Sequence, residues 1–153
     1  MPLQFVLDDI AESECDAIVF AAVPGAIDGA APGVSAQEER EIFASLGEDE
    51  ARITYANDLY CTYVIHVPCP AWVGDGADAE RLAHVYEVCL RLAKEHDCRS
   101  VAFPLLGAAS GYPLDEALHI AAAALRQSPM EVELLFDDKA AYDRAQQLGI
   151  ETD

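Results

Sequence analysis

Basic side chains are scarce in this chain: nine Lys and Arg stand against 28 Asp and Glu in 153 residues, for a formal net charge of −19. A surface that tracks a phosphate polymer needs clustered Lys and Arg. The chain has none, so a nucleic acid polymer is excluded as the expected partner. The acidity reads first as a solvated, self-repelling surface that favours solubility. An anionic ligand would have to be held by local backbone N–H groups or helix N-termini against an unfavourable overall field. Long apolar runs are also missing. Apolar residues make up 52% of the chain, yet no run approaches the roughly 20 residues that cross a bilayer, so no membrane association is expected. The opening residues, MPLQFVLDDI, lack a basic start, a sustained apolar stretch and a small-residue cleavage site, and a cytoplasmic protein is the expectation.

Paired C-x-x-C motifs are absent too. The five cysteines, Cys15, Cys61, Cys69, Cys89 and Cys98, are odd in number and suit reduced core thiols better than a disulfide framework. Cys61, His66 and Cys69 suggest zinc at first sight. On a shared strand, however, Cys61 and His66 are five apart and point to opposite faces, and no fourth ligand is evident. Neither a metal nor a cofactor is expected.

No linker, repeat or low-complexity tract divides the chain, so a single domain over residues 1–153 is expected. Residues 3–7 and 16–23 are apolar; the second run is continuous and partly β-branched, as suits a strand covered on both faces. Residues 24–34, PGAIDGAAPGV, read as a loop. Ser35-Ala-Gln-Glu38 is a capping-box signature opening a helix to about Leu46. Residues 51–55 and 63–67 read as strands. Helical periodicity over 79–95 places Leu82, Val85, Cys89, Leu92 and Ala93 on one face, with Asp78 as N-cap. Residues 100–106 return to strand character. A helix with Leu114, Ala117, Leu118, Ala121 and Leu125 as its stripe follows, then a strand at 131–136 and a short helix at 139–148. Such alternation argues an α/β fold with a mixed, largely parallel sheet and helices on both faces. Ligands of these sheets sit beyond the carboxyl ends of strands, which points to segments 23–34, 106–113 and 136–138.

Two of these segments are small-residue loops. In LLGAASGYP, residues 105–113, a strand ends and a helix begins just after Pro113. Successive N–H groups there can form an anion-binding concavity, or the glycines can simply serve a tight turn. PGAIDGAAPG, residues 24–33, ends an interior strand. Asp28 within it can act as a general base on a positioned water or as a turn residue before glycine. Asp8-Asp9-Ile10 follows the first strand, where a carboxylate can accept from an exocyclic amine or cap a turn. Phe136 can stack on a base or belong to the core, and His66 reads as a satisfied polar residue ending its strand.

Taken in order, these segments resemble the macrodomain family. Asp8-Asp9-Ile10 is similar to its G-D-I-T motif, Asp16-Ala-Ile-Val19 to D-A-I-V and Ile27-Asp-Gly-Ala30 to V-D-G-A. Glu50-Ala-Arg-Ile-Thr54 is similar to G-E-A-x-I-T. Tyr63-Val-Ile-His66 through Pro70 and Trp72 resembles Y-V-I-H-x-x-x-P-x-W. Ser100-Val-Ala-Phe-Pro104 and Gly111-Tyr-Pro113 resemble the strand and close of the second phosphate loop. The resemblance implies a three-layer α-β-α macrodomain with ADP-ribose bound at the strand ends. It implies that Asp9 binds the adenine amine beside the Ile10 N–H and that Phe136 flanks the ring. The diphosphate and distal ribose would lie between Val23, Ile27, Gly29 and Ala30 of one loop and Gly107, Ala108, Ala109, Ser110 and Gly111 of the other. Many relatives hydrolyse ADP-ribosyl bonds or deacetylate O-acetyl-ADP-ribose with an Asn and the Asp of V-D-G-A, which is Asp28 here.

The chain departs from that pattern where relatives do chemistry. Phe20-Ala-Ala-Val23 replaces N-A-A-N, and Val23 has no hydrogen bond to offer a ribose hydroxyl or water. The glycine run before Ile27 is reduced to Pro24-Gly25-Ala26, and the S-T-G-I-Y stretch of the second loop shortens to Gly107-Ala-Ala-Ser110. Losing an acceptor from a site built around a hydroxyl costs roughly 10²-fold or more. The expectation is therefore a divergent macrodomain that binds ADP-ribose or a related small nucleotide, free or on an ADP-ribosylated protein, with weak or no turnover. The alternatives are an ADP-ribosyl or O-acetyl-ADP-ribose hydrolase using Asp28, and a structural domain without a ligand.

Overall fold

The computed structural model describes residues 3–22, 36–47, 50–56 and 59–150. Among these residues six strands form one sheet: β1 (Leu3–Leu7), β2 (Ala17–Ala22), β3 (Arg52–Tyr55), β4 (Tyr63–Pro68), β5 (Ser100–Pro104) and β6 (Glu131–Phe136), in the order β1-β6-β5-β2-β4-β3. Five strands run parallel, and β3 alone is antiparallel, paired to β4. The helices are α1 (Ala36–Ala44), α2 (Asp78–Glu95), α3 (Leu114–Arg126) and α4 (Lys139–Leu148). This is the three-layer α/β architecture that the sequence implied.

Strand side chains alternate between two cores. Val19, Ile65, Val101, Phe103 and Leu134 meet Leu82, Leu118 and Ala145 from α2, α3 and α4. Ile18, Val64, Ala102 and Leu135 meet Cys15 and Cys61 on the opposite face. On that face α1 closes through Phe43, whose ring lies 6.5 Å from Phe20 and 6.2 Å from His66. The interior strands are buried on both sides, which is why they read as continuous apolar runs. Each fully buried side chain such as Phe103 or Ile65 contributes roughly 1.5–3 kcal/mol relative to exposure.

Several expectations need correction. Asp78 is not the N-cap of α2; Ala77 holds that position, and Asp78 is the first helical residue, buried, with its carboxylate turned back toward residues 73 and 74. The strand expected over 100–106 ends at Pro104. The connector between β1 and β2 contains a single 3₁₀ turn, Ile10–Glu12. His66 lies inside β4 rather than at its end, fully buried, its Nε2 2.8 Å from Thr54 Oγ1. Cys61 and Cys69 belong to the two different cores. The Ser35 cap lies outside the described residues.

Candidate functional site

The parallel register brings Leu7 level with Phe136 and Pro104 level with Leu135, so β1, β6 and β5 end at one rim. The Asp8 N–H donates to the Phe136 carbonyl at 3.0 Å, extending the ladder by one residue. Beyond it the chain turns. The Asp9 N–H donates to Asp8 Oδ1 at 2.8 Å, and Asp9 Oδ1 accepts from the Ala11 N–H at 3.0 Å, capping the 3₁₀ turn. One oxygen of Asp9 is thus committed to the backbone. On the neighbouring strand Asp138 caps α4 in the same way, accepting from the Ala140 N–H at 3.0 Å.

The loop after β5 is shaped by two glycines in the left-handed region, Gly107 at φ 93° and Gly111 at φ 95°. The Gly107 carbonyl accepts from the N–H groups of Ser110 and Tyr112, both at 3.1 Å, and from the Ser110 hydroxyl at 3.2 Å. Gly107 and Ser110 are consequently buried, while Ala108 and Ala109 stand exposed at the rim. The Ala108 and Ala109 N–H groups open the 3₁₀ turn Ala108–Ser110 and so have no acceptor within it. They are the donors this loop can offer an anion. Gly111 is exposed, with Trp72 behind it.

A cavity of about 500 Å³ opens at this rim. Its walls include Asp8, Asp9 and Ile10 from one segment, Ala108 and Ala109 from another, and Phe136, Asp137 and Asp138 from a third. The structure therefore brings together Asp9, Ile10, Ala108, Ala109 and Phe136, five of the residues singled out in the sequence. Gly107, Ser110 and Gly111 do not line the cavity; they hold the loop that does. Phe136 is buried, its ring edge-on to Phe5 at 5.6 Å and to Tyr142 at 5.8 Å, so it forms the wall from within the core. Val23, Ile27, Asp28, Gly29 and Ala30 lie outside the described residues.

The lining also holds Asp137 and Asp138, from the segment 136–138 to which the sequence points without assigning either residue a role. Among the described residues, Asp137 and Asp138 give the rim four carboxylates with Asp8 and Asp9, and no Lys or Arg is in the lining. Of the described lining residues, those placed to meet a phosphate offer N–H donors. A larger cavity, about 630 Å³, opens on another part of the surface between residues 68–73 and the first turns of α2. It is lined by Pro68, Cys69 and Pro70 of the Tyr63–Trp72 motif but by none of the residues singled out for ligand contact.

A profile of the Macro domain family matches residues 7–121. The chain is 36% identical over 160 residues to an O-acetyl-ADP-ribose deacetylase of Klebsiella pneumoniae, an alignment covering 90% of this chain and 91% of that protein. It is 38% identical over 129 residues to a macro domain-containing protein of Chlorobaculum tepidum, covering 78% and 75% of the two chains. Among solved structures, the Oceanobacillus iheyensis macrodomain with ADP superposes with a TM-score of 0.76 at 25% identity, over 99% of this chain and 93% of that one. A single-residue mutant of the same macrodomain, solved with ADPR, gives a TM-score of 0.79 at 24% identity over 95% and 90% and shares the fold.

Proposed function

Because the chain belongs to the macro domain family, we propose that it binds ADP-ribose or a related nucleotide, free or attached to a protein, in the strand-end cleft, and turns it over weakly or not at all. The observation that carries this reading is the convergence of residues 8–10, 108–109 and 136–138 on one cavity of about 500 Å³, a volume in the range of small-molecule sites. Asp9 accepts from the adenine amine, and the Ile10 N–H donates to the ring. Phe136 supports one face of the adenine from the core. The Ala108 and Ala109 N–H groups face the diphosphate, with Gly107, Ser110 and Gly111 shaping their loop; Val23, Ile27, Gly29 and Ala30 are the further contacts that the family resemblance implies. Weak turnover follows from Val23, which offers no hydrogen bond to a water or to the distal ribose.

A second reading, hydrolysis, is favoured by the 36% identity to a protein named as an O-acetyl-ADP-ribose deacetylase. In it Asp28 takes a proton from a water that attacks the ester carbonyl, releasing acetate and ADP-ribose. We also propose a cytoplasmic location, supported by five free and buried cysteines, the thiol state of a reducing compartment.

Calorimetric titration with ADP-ribose tests the first reading. Saturable binding is expected, and no heat at millimolar ligand would overturn it. Incubation with O-acetyl-ADP-ribose and with a mono-ADP-ribosylated protein separates the two readings. Rapid release that disappears in Asp28→Ala would favour the hydrolase.

A further inference from the structure

We infer that Asp78, outside the cleft, is a positioning residue that sets the geometry of the 107–111 ligand loop from behind; its consequence for binding rests on the reading above. A carboxylate buried to 2% exposure at the start of an amphipathic helix needs a reason, because burial disfavours its charge. A helix cap is not that reason. A capping side chain accepts from the N–H groups of its own first turn, whereas Asp78 accepts from the preceding loop: Oδ1 from Val73 N–H at 2.9 Å and Oδ2 from Gly74 N–H at 2.8 Å. Arg81 Nη2 adds a third donor at 3.0 Å to Oδ1 and reaches Asp75 Oδ1 at 2.8 Å. Asp75 Oδ1 also accepts from Ala77 N–H at 3.0 Å. The turn between Val73 and Asp78 is thus fixed at both ends.

That turn ends against Trp72, and Trp72 holds the ligand loop. Its N–H donates to the Ser110 carbonyl at 3.0 Å, and its indole meets the Tyr112 ring edge-on at 5.2 Å. A Cβ on Gly111 would sit in van der Waals contact, 3.5 Å from Trp72 Cβ. Tyr112 closes the circuit, its hydroxyl donating to the Asp78 carbonyl at 2.8 Å while its own N–H donates to the Gly107 carbonyl. Two routes therefore run from Asp78 to the loop, one through residues 73–74 and Trp72, the other through Tyr112. Both end on the residues that aim Ala108 and Ala109 at the cavity. Residues several ångströms behind a binding group can decide its alignment in this way.

Asp78→Ala is the test, read in two independent arms. Without ligand, amide hydrogen exchange at Ser110 and Tyr112 should accelerate while exchange in β6 stays as in the parent, and the emission of Trp72, the sole tryptophan, should shift to the red. With ligand, the Kd for ADP-ribose should rise about tenfold, the scale of misaligning one or two hydrogen bonds. Adenosine, followed by the shift of the Ile10 amide, should bind as to the parent. Unchanged exchange and emission at the loop would overturn the inference. So would equal loss of ADP-ribose and adenosine, which marks general destabilisation. If the parent itself does not bind ADP-ribose, the functional reading fails while the first arm still decides the role of Asp78. Should Asp78→Ala not fold, Tyr112→Phe removes only the hydroxyl of the second route, and the same local increase in exchange is expected from it. Asp78→Asn, which keeps an acceptor, should restore part of the protection.

Discussion

Gly107 is pressed against Leu82: a Cβ on Gly107 would stand only 2.9 Å from Leu82 Cδ2. The Tyr112 ring closes the other side at 3.0 Å, and the backbone is at φ +93°. Conformation and space both demand glycine here. Gly107→Ala should therefore destabilise the protein by about 1–3 kcal/mol and displace Ala108 and Ala109 from the cleft. Urea denaturation measures the first effect and ADP-ribose titration the second; an unchanged midpoint would contradict the packing argument.

Asp9 serves two acceptor roles, one toward the Ala11 N–H and one proposed toward adenine. Substitutions separate them. Asp9→Asn keeps an oxygen for the Ala11 N–H, so its thermal stability should match the parent, while its ADP-ribose affinity falls about tenfold for one lost hydrogen bond. Asp9→Ala should lose that affinity and also roughly 1 kcal/mol of stability with the cap. Ribose 5-phosphate, which has no adenine, should bind all three proteins alike. A matching loss for ribose 5-phosphate would remove Asp9 from the adenine contact.

Within the core, Thr54 Oγ1 meets the fully buried His66 at 2.8 Å. Thr54→Val keeps the shape and takes away that partner of the imidazole. A buried polar atom deprived of its hydrogen bond costs about 1–3 kcal/mol, so a lowered melting temperature is expected. Nucleotide binding should be unaffected, since neither residue lines the cleft.

The thiols make a chemical prediction. Burial is the main cause that raises Cys15 to about 11, with Glu133 adding to it and a Ser13 hydrogen bond opposing. Cys61, Cys69, Cys89 and Cys98 are also raised by burial. Thiolate is the reactive form, so iodoacetamide at neutral pH should leave the native chain unlabelled and modify all five sites after denaturation. Fast native labelling at any one would show that its surroundings open.

Much of the fold was legible because apolar spacing carries it. The strand at 131–136 and the helix at 139–148 were read with the bounds they have, each being a periodic run between polar breaks. The cleft was legible in part, since Asp9, Ile10, Ala108, Ala109 and Phe136 fall in motifs whose small or polar residues sit at strand ends. The role of Asp78 was not. Besides Arg81, its partners are the main-chain N–H groups of Val73 and Gly74, and main-chain donors leave no mark in a sequence. An acidic residue before an apolar helical stripe looks like a cap whether its carboxylate turns forward or back. The packing of Phe136 between Phe5 and Tyr142 was hidden for a similar reason, because it depends on β1 lying beside β6 across more than 120 residues of chain.

Arg144 holds Asp115 in a two-point fork between α4 and α3, with Nε–Oδ1 at 2.8 Å and Nη2–Oδ2 at 2.7 Å. Arg144 hydrogen bonding is the main cause that lowers the Asp115 carboxyl below its ordinary value of 3.8; partial desolvation opposes it. A carboxyl that is more acidic folded than unfolded adds stability that is fully present above its unfolded value. That stability is lost as pH falls through the folded one. Asp115→Asn should therefore melt below the parent at neutral pH, and the gap should close as the solution is acidified below about pH 4. The absolute stability of both proteins will also respond to discharge of the other acidic groups of a chain at net −19. That response is common to the two and cancels in their difference. Because both side chains reach solvent, the gap should be small and should shrink in high salt. A difference in melting temperature that stayed constant from neutral pH to below pH 3 would show that the fork contributes through packing rather than charge.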